Sequence, residues 1–248
     1  MSFRKVRGLS VIGVVALLLS PPAWAARSSP GGLDLSQLGH NSGSVPWNIL
    51  VLLTVLTLLP AIVLSMTPFV RLLVVFHFLR QALGTQTTPS NQTLIGLSLI
   101  LTFFLMQPVG TAIQEAAIVP YQHGQVDAMH AVDLASGPVR NFMLRYAREK
   151  DLALFLELAK QPKPTRPEDL PMRVVLPAYL ISELKAGFQI GAALYLPFLV
   201  VDMAVAAITT SVGMLQLPPV VISTPLKILL FVMVDGWNLL VGSLMKSF

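Results

Sequence analysis

Between Pro177 and Met245 the chain runs almost continuously apolar, yet it carries isolated charges at Glu183, Lys185, Asp202, Lys227 and Asp235. Prolines stand in the same stretch at Pro177, Pro197, Pro218, Pro219 and Pro225. A charge is expensive in hydrocarbon and marks a pathway or a buried partner. Proline breaks the helical hydrogen-bond ladder, which a membrane tolerates only where protein or water satisfies the freed backbone groups. The pattern fits neither a water-soluble enzyme core nor a simple membrane anchor. It predicts kinked helices that pack into a larger assembly.

The whole chain is 54% hydrophobic and 12% charged, which argues against an ordinary globular domain. It has no cysteine, so disulfides, Cys-zinc sites and thiol nucleophiles are excluded together. Arg4, Lys5 and Arg7 precede an apolar run from Leu9 to Leu19, followed by Pro21, Pro22 and Ala23-Trp24-Ala25. That is the layout of a secretory signal peptide, with cleavage expected between Ala25 and Ala26. The alternative is a retained first membrane helix, but the core is short of the roughly 20 residues a span needs. Loss of residues 1–25 takes the formal charge from +5 to +2, so the high pI gives no support for nucleic-acid binding.

The mature chain divides by composition. Residues 26–46, rich in Gly, Ser and Pro, read as a flexible exported stretch. Residues 47–114 form a first apolar helical region. Within it Trp47–Met66 is charge-free, long enough to span, anchored by Trp47 and expected to kink at Pro60. Thr67–Arg80 is helix-like and carries Arg71, His77 and Arg80; Gly84 and Thr87-Thr88-Pro89 make a loop, and Asn91–Gln114 is charge-free again. With an exported N-terminus, Arg71 and Arg80 fall on the inner side and residues 115–173 on the exported side.

That polar segment holds eight basic and eight acidic residues, a balance that suits a solvated helical module. Val139, Phe142, Met143 and Tyr146 recur at helical spacing; Ser136-Gly137-Pro138 reads as the helix start, and Pro162, Pro164 and Pro167 as its stop. Residues 174–248 form the second apolar region. Helical stretches at about Val174–Thr210 and Val220–Met245 flank an apolar Gly- and Pro-containing link, which suits a loop buried in protein or lining a cavity. The expected fold is all-α: kinked, Pro-interrupted apolar helical hairpins plus a polar amphipathic segment. Glu183 and Lys227 are expected to meet polar or charged groups on a neighbouring helix or subunit, with a wet interface as the alternative.

Nothing in the sequence supplies a catalytic constellation. His40, His77, His123 and His130 never pair at i, i+4, and no His-Glu-x-x-His or EF-hand pattern occurs. His123, Asp127, His130 and Asp133 would assemble a metal site if they shared a helix, but a solvated polar helix yields such groupings by chance. There is no Walker lysine loop, and Gly96-Leu97-Ser98 lacks the strand-turn-helix context of a nucleophile elbow. The reading is a non-enzyme without cofactor or metal.

Several stretches resemble the FliP family of flagellar type III export-gate proteins. They are Met66-Thr67-Pro68-Phe69-Val70-Arg71 through Leu79-Arg80-Gln81-Ala82-Leu83-Gly84, and Pro138-Val139-Arg140-Asn141-Phe142-Met143-Leu144 with Asp151-Leu152-Ala153-Leu154-Phe155. Pro177-Ala178-Tyr179-Leu180-Ile181-Ser182-Glu183-Leu184-Lys185 with Phe188-Gln189-Ile190-Gly191, and Pro197–Asp202 with Val234-Asp235-Gly236-Trp237, complete the match. The resemblance implies several FliP copies joined to FliQ and FliR around a pore in the bacterial inner membrane, at the flagellar basal body. FlhA and FlhB would be apparatus partners and unfolded flagellar subunits the transient cargo. Much of the chain would stand on the periplasmic side.

The resemblance also implies a pore gasket. The family commonly carries three methionines before Pro-Pro, and here the run is Met214-Leu215-Gln216. Flexible side chains of that kind close a pore yet yield to a passing chain. Two further departures are Gly187 where the family has Ala, and Leu226 where it has Phe. The homologous injectisome subunit is the nearest alternative, and the leader favours the flagellum. A secondary transporter would show paired broken helices in repeated halves, and no duplication is evident.

Overall fold

The computed structural model describes residues 47–161, 164, 166–213 and 218–248. The expected cleavage at Ala25 and Ala26, the exported stretch 26–46, Pro162, and the gasket residues Met214, Leu215 and Gln216 lie outside the described residues. Among the described residues every regular element is helical.

Helix α1 (Trp47–Ser65) contains no charge, and its apolar residues are exposed along its length. Thr54 and Ser65 turn their hydroxyls onto carbonyls one turn earlier, Val51 and Ile62, which satisfies them within the helix.

Helix α2 (Phe69–Ala82) buries Arg71, Leu72, Val75, Phe76, Leu79 and Ala82, one continuous stripe at helical spacing. It lies along α7 (Met172–Ser211), a single 40-residue helix that passes through Pro177 and Pro197. At 1.5 Å per residue α7 is about 60 Å long, roughly twice a bilayer's hydrocarbon core. The two helices run in the same direction. Arg71 meets Glu183, Val74 faces Gly187, and Phe78 faces Gly191. Glycine at both positions is what lets them approach. A Cβ on Gly187 would stand 3.1 Å from Val74 Cγ1 and 3.4 Å from the Arg71 carbonyl oxygen, and one on Gly191 would stand 2.5 Å from Phe78 Cγ. This is small-residue packing at i, i+4, as membrane helix pairs use.

Helix α3 (Asn91–Ile113) is capped by Ser90, whose hydroxyl accepts from Thr93 N at 3.2 Å. Ser98 and Thr102 are buried and donate to the Leu94 and Ser98 carbonyls at 2.7 Å, so α3 brings polar residues into the core without orphaning them. The sequence suggests an end near Gln114. Instead the helix continues through a π turn (Gln114–Ile118) into α4 (Val119–Gln122). Pro120 has no N–H for the ladder, and the wider turn before it makes room for the ring.

The helix start expected at Ser136-Gly137-Pro138 is wrong. Helix α5 runs from Ala128 to Tyr146, with Pro138 inside it and Asp127 as its cap, accepting from His130 N at 3.2 Å. The local cap outweighs one lost ladder bond. After a break at Ala147-Arg148, α6 (Glu149–Leu158) follows, then a short 3₁₀ turn (Pro167–Asp169). Met143, Leu170, Val174, Val175 and Tyr179 form the core that joins α5 and α6 to the start of α7.

The last apolar stretch is also corrected: it is two helices, α8 (Pro219–Met233) and α9 (Gly236–Lys246), bent by 66°. Asp235 takes the left-handed conformation at φ 52°, and Gly236 has no Cβ to collide with the Phe231 ring. The bend lets α8 lie against the C-terminal half of α7 while Leu240 and Leu244 of α9 join the core of α2 and α3.

Three described helical spans are long and apolar enough to cross a membrane, Trp47–Ser65, Asn91–Gln122 and Met172–Ser211, and the bent α8–α9 pair makes a fourth if counted as one span. Ile100, Phe103, Val200 and Met233 are each about two-thirds or more exposed, far more apolar surface than a water-soluble monomer presents.

Candidate functional site

Three polar clusters tie the apolar helices together. The deepest is Arg71–Glu183. Glu183 is completely buried and Arg71 is 6% exposed. The guanidinium forks onto the carboxylate, Nε donating to Oε2 at 2.9 Å and Nη2 to Oε1. Its remaining nitrogen, Nη1, reaches the Ser247 carbonyl at 3.4 Å and hydroxyl at 3.3 Å. The Phe248 ring centroid lies 3.9 Å from the guanidinium carbon, the Tyr146 ring 5.8 Å away, and the Tyr146 hydroxyl donates to the Phe248 carbonyl. One cation therefore joins α2, α7, α5 and the residues after α9, with the satisfied fork geometry that a buried pair needs.

The second cluster joins α7 to α8. Lys227 is nearly buried and pairs with Asp202, whose other oxygen accepts from Ser223 Oγ at 2.6 Å. Ser223 and Lys227 stand four apart on one face of α8, so both reach the same carboxylate. Asp202 keeps partial exposure, unlike Glu183.

The third cluster holds α6 to α7. Asp151 accepts from Arg148 Nε at 2.9 Å and Nη2 at 3.1 Å, and from Ser182 Oγ at 2.6 Å. Ser182 Oγ in turn accepts from the Arg148 backbone N–H at 2.9 Å. The Arg148 hydrogen bonds hold the Asp151 carboxyl below the usual carboxylate range; burial opposes this, and Ser182 and the nearby Lys185 charge add to it.

Of the sequence-derived charges, the structure thus brings Glu183, Asp202 and Lys227 into pairs. Lys185 and Asp235 are exposed on this chain, Asp235 at the α8–α9 bend. Residues 214–216 are flanked by Gly213, at φ +76°, and by Pro218 at the head of α8. The histidine grouping does not share a helix: His123 follows α4, Asp127 caps α5, and only His130 and Asp133 lie within α5. No group of three His, Asp or Glu residues suited to a metal occurs among the described residues. The sequence reading missed Arg71 as the partner of Glu183. The signal was present, because Arg71 shares one helical stripe with Val75 and Leu79, and a cation on such a stripe needs a buried anion.

The sequence matches the FliP family profile over residues 52–244. It is 46% identical over 237 residues to a flagellar biosynthetic protein FliP of Pectobacterium carotovorum, covering 96% of this chain and 92% of that one. It is 48% identical over 200 residues to the Bacillus subtilis protein of the same name (81% and 90% covered), and 43% identical over 247 residues to that of Caulobacter vibrioides (99% and 91%). The profile match includes the ion pair at the centre of each polar cluster, and the chain belongs to the FliP family.

Proposed function

We propose that this chain is a core subunit of the flagellar type III protein export gate. In this reading it assembles with further copies of itself and with FliQ and FliR into the channel through which unfolded flagellar subunits leave the cytoplasm. The observation that carries the proposal is the family match over residues 52–244. Helices locked internally by ion pairs, with apolar outer faces left uncovered, support it as well. Such a subunit offers its remaining apolar surface to lipid and neighbouring chains. FlhA and FlhB are the adjoining apparatus partners in this reading. The site is the inner membrane at the basal body, with residues 115–173 on the periplasmic side.

The proposed gasket is Met214, Leu215 and Gln216. Leu215 keeps apolar bulk with less adaptability than methionine, and Gln216 hydrogen-bonds to water or a symmetry mate. The role is that of a conduit, with no bond-making chemistry assigned to it. Purification of a tagged copy in mild detergent tests the assembly. FliQ- and FliR-like chains should co-purify in fixed ratio, and deletion of the gene should abolish flagella. A chain that purifies alone from a strain whose deletion leaves flagella intact would overturn the proposal.

A further inference from the structure

Near the end of α2 stands a cation that no carboxylate answers among the described residues. Arg80 donates through Nη1 to Asn91 Oδ1 at 2.6 Å and to the Pro89 carbonyl at 3.4 Å, and its Nη2 lies 3.0 Å from His77 Nε2. Among the described residues the ion pairs are Arg71–Glu183, Arg148–Asp151, Arg166–Asp169 and Lys227–Asp202, and Arg80 is in none of them. Its Nε has no acceptor there either. The side chain is held by two carbonyl oxygens and an imidazole, and no described residue neutralises its charge.

A cleft of about 540 Å³ opens beside it, lined by Arg80, Gln81, Thr85 and Gln86 over Phe78 and Tyr195. A second cleft of about 340 Å³ shares Phe78 and Gln81 and continues along α2 to Leu73 and Val74, with Phe188 on α7 forming its far wall. The two clefts adjoin at Phe78 and Gln81 as a trough, polar at the Arg80 end and almost wholly apolar towards Leu73. The polar end is also placed in depth. Asn91, which holds Arg80, is the first residue of the charge-free 23-residue α3, and Leu94, Leu97 and Leu101 pack back onto the α2 core. Arg80 therefore stands at the level where an apolar span begins, and the apolar end of the trough points along that span.

We propose that this trough binds one anionic phospholipid, its phosphate on Arg80 and the neighbouring amides and hydroxyl, its acyl chain along Leu73, Val74, Phe78 and Phe188. Basic pockets at the ends of membrane helices recognise acidic headgroups through this combination of charge and apolar length. A carboxylate from a neighbouring protein would neutralise Arg80 but leave the apolar trough to be filled separately. A phospholipid answers both.

Native mass spectrometry of the full chain, with whatever co-purifies, tests the proposal by adding phosphatidylglycerol or phosphatidylcholine to matched preparations. Phosphatidylglycerol should be retained over phosphatidylcholine, and Arg80→Gln should reduce that preference about five-fold, the effect of one basic residue at a lipid surface. Lys150→Gln, an exposed cation on the polar segment, should leave it unchanged. If Arg80→Gln does not yield folded protein, Gln86→Glu places an anion at the mouth of the trough on an exposed loop and should abolish the preference by itself. Equal retention of the two lipids by the unaltered protein would overturn the proposal and favour a protein carboxylate as Arg80's partner. A phosphatidylglycerol preference that survives Arg80→Gln, or Gln86→Glu where that variant stands in, would also overturn it.

Discussion

Replacing Glu183 by alanine removes the only carboxylate that meets Arg71 among the described residues. The guanidinium is 6% exposed, so water cannot take over the two donors that the carboxylate satisfied. What remains to the guanidinium is the pair of Nη1 contacts with Ser247 and the Phe248 and Tyr146 rings. Breaking a buried pair from one side costs about 3–5 kcal/mol. For a chain of this size 1 kcal/mol moves Tm by roughly 2–4 °C, so a fall of about 6–20 °C is expected. The double replacement Arg71→Met with Glu183→Leu removes both charges and refills most of the volume. Apolar substitution of a whole buried pair is often neutral, so the double variant should recover more than half of the loss. Thermal unfolding of the three proteins in the same detergent measures this directly. A Glu183→Ala protein melting within 2 °C or so of the unaltered chain would refute the reasoning, because the stated cost predicts a larger shift. So would a double variant that is worse than the single.

Lys227→Ala should destabilise less than Glu183→Ala in the same melts, because Asp202 keeps Ser223 and partial access to solvent once its partner is gone. Gly191→Ala forces a methyl against the Phe78 ring and should cost about 1–3 kcal/mol of Tm-derived stability. Gly187→Ala, whose methyl would come no nearer than 3.1 Å to Val74 and 3.4 Å to the Arg71 carbonyl oxygen, should cost less, and equal costs would argue against the close α2–α7 approach. The Asp151 carboxyl is depressed by Arg148, so its contribution is complete above the ordinary carboxylate pKa of about 4 and is lost as pH falls through the lower folded value. Tm should therefore fall more steeply below about pH 4 in the unaltered protein than in Asp151→Asn. Replacing Met214 and Leu215 together by alanine should make cells expressing the assembled gate leaky to small ions, measured as added conductance. Normal assembly without added conductance would place the seal elsewhere.

Much of the fold was legible because charge-free runs are unambiguous. Trp47–Ser65 and the body of α3 stand where the sequence puts them. The errors share a cause, since proline and polar residues were read as boundaries by local rules. Pro138 sits inside α5 because Asp127 already supplies a better start. Glu115 lies inside a continuing helix whose π turn absorbs the following proline. The α8–α9 bend was written in Asp235-Gly236, a pair suited to left-handed backbone, but it was masked by apolar residues on either side. The need for partners at Glu183 and Lys227 was readable from the expense of a lone charge. Their identity was not, because Arg71 is 112 residues from Glu183 and only the parallel register of α2 on α7 brings them together. In the sequence Gly187 is only a departure from the family's alanine; in the fold it is one of two glycines at the close α2–α7 approach.

The proposed function requires that unfolded flagellar subunits pass a gasket formed by residues 214–216. A photo-crosslinking amino acid placed at Leu215, in cells where an export substrate is stalled by a folded fusion partner, tests it most directly. A substrate adduct at Leu215, with none at the exposed Val132 of α5, is the predicted result. Stalled substrate that fills the gate without ever cross-linking to Leu215 would contradict it.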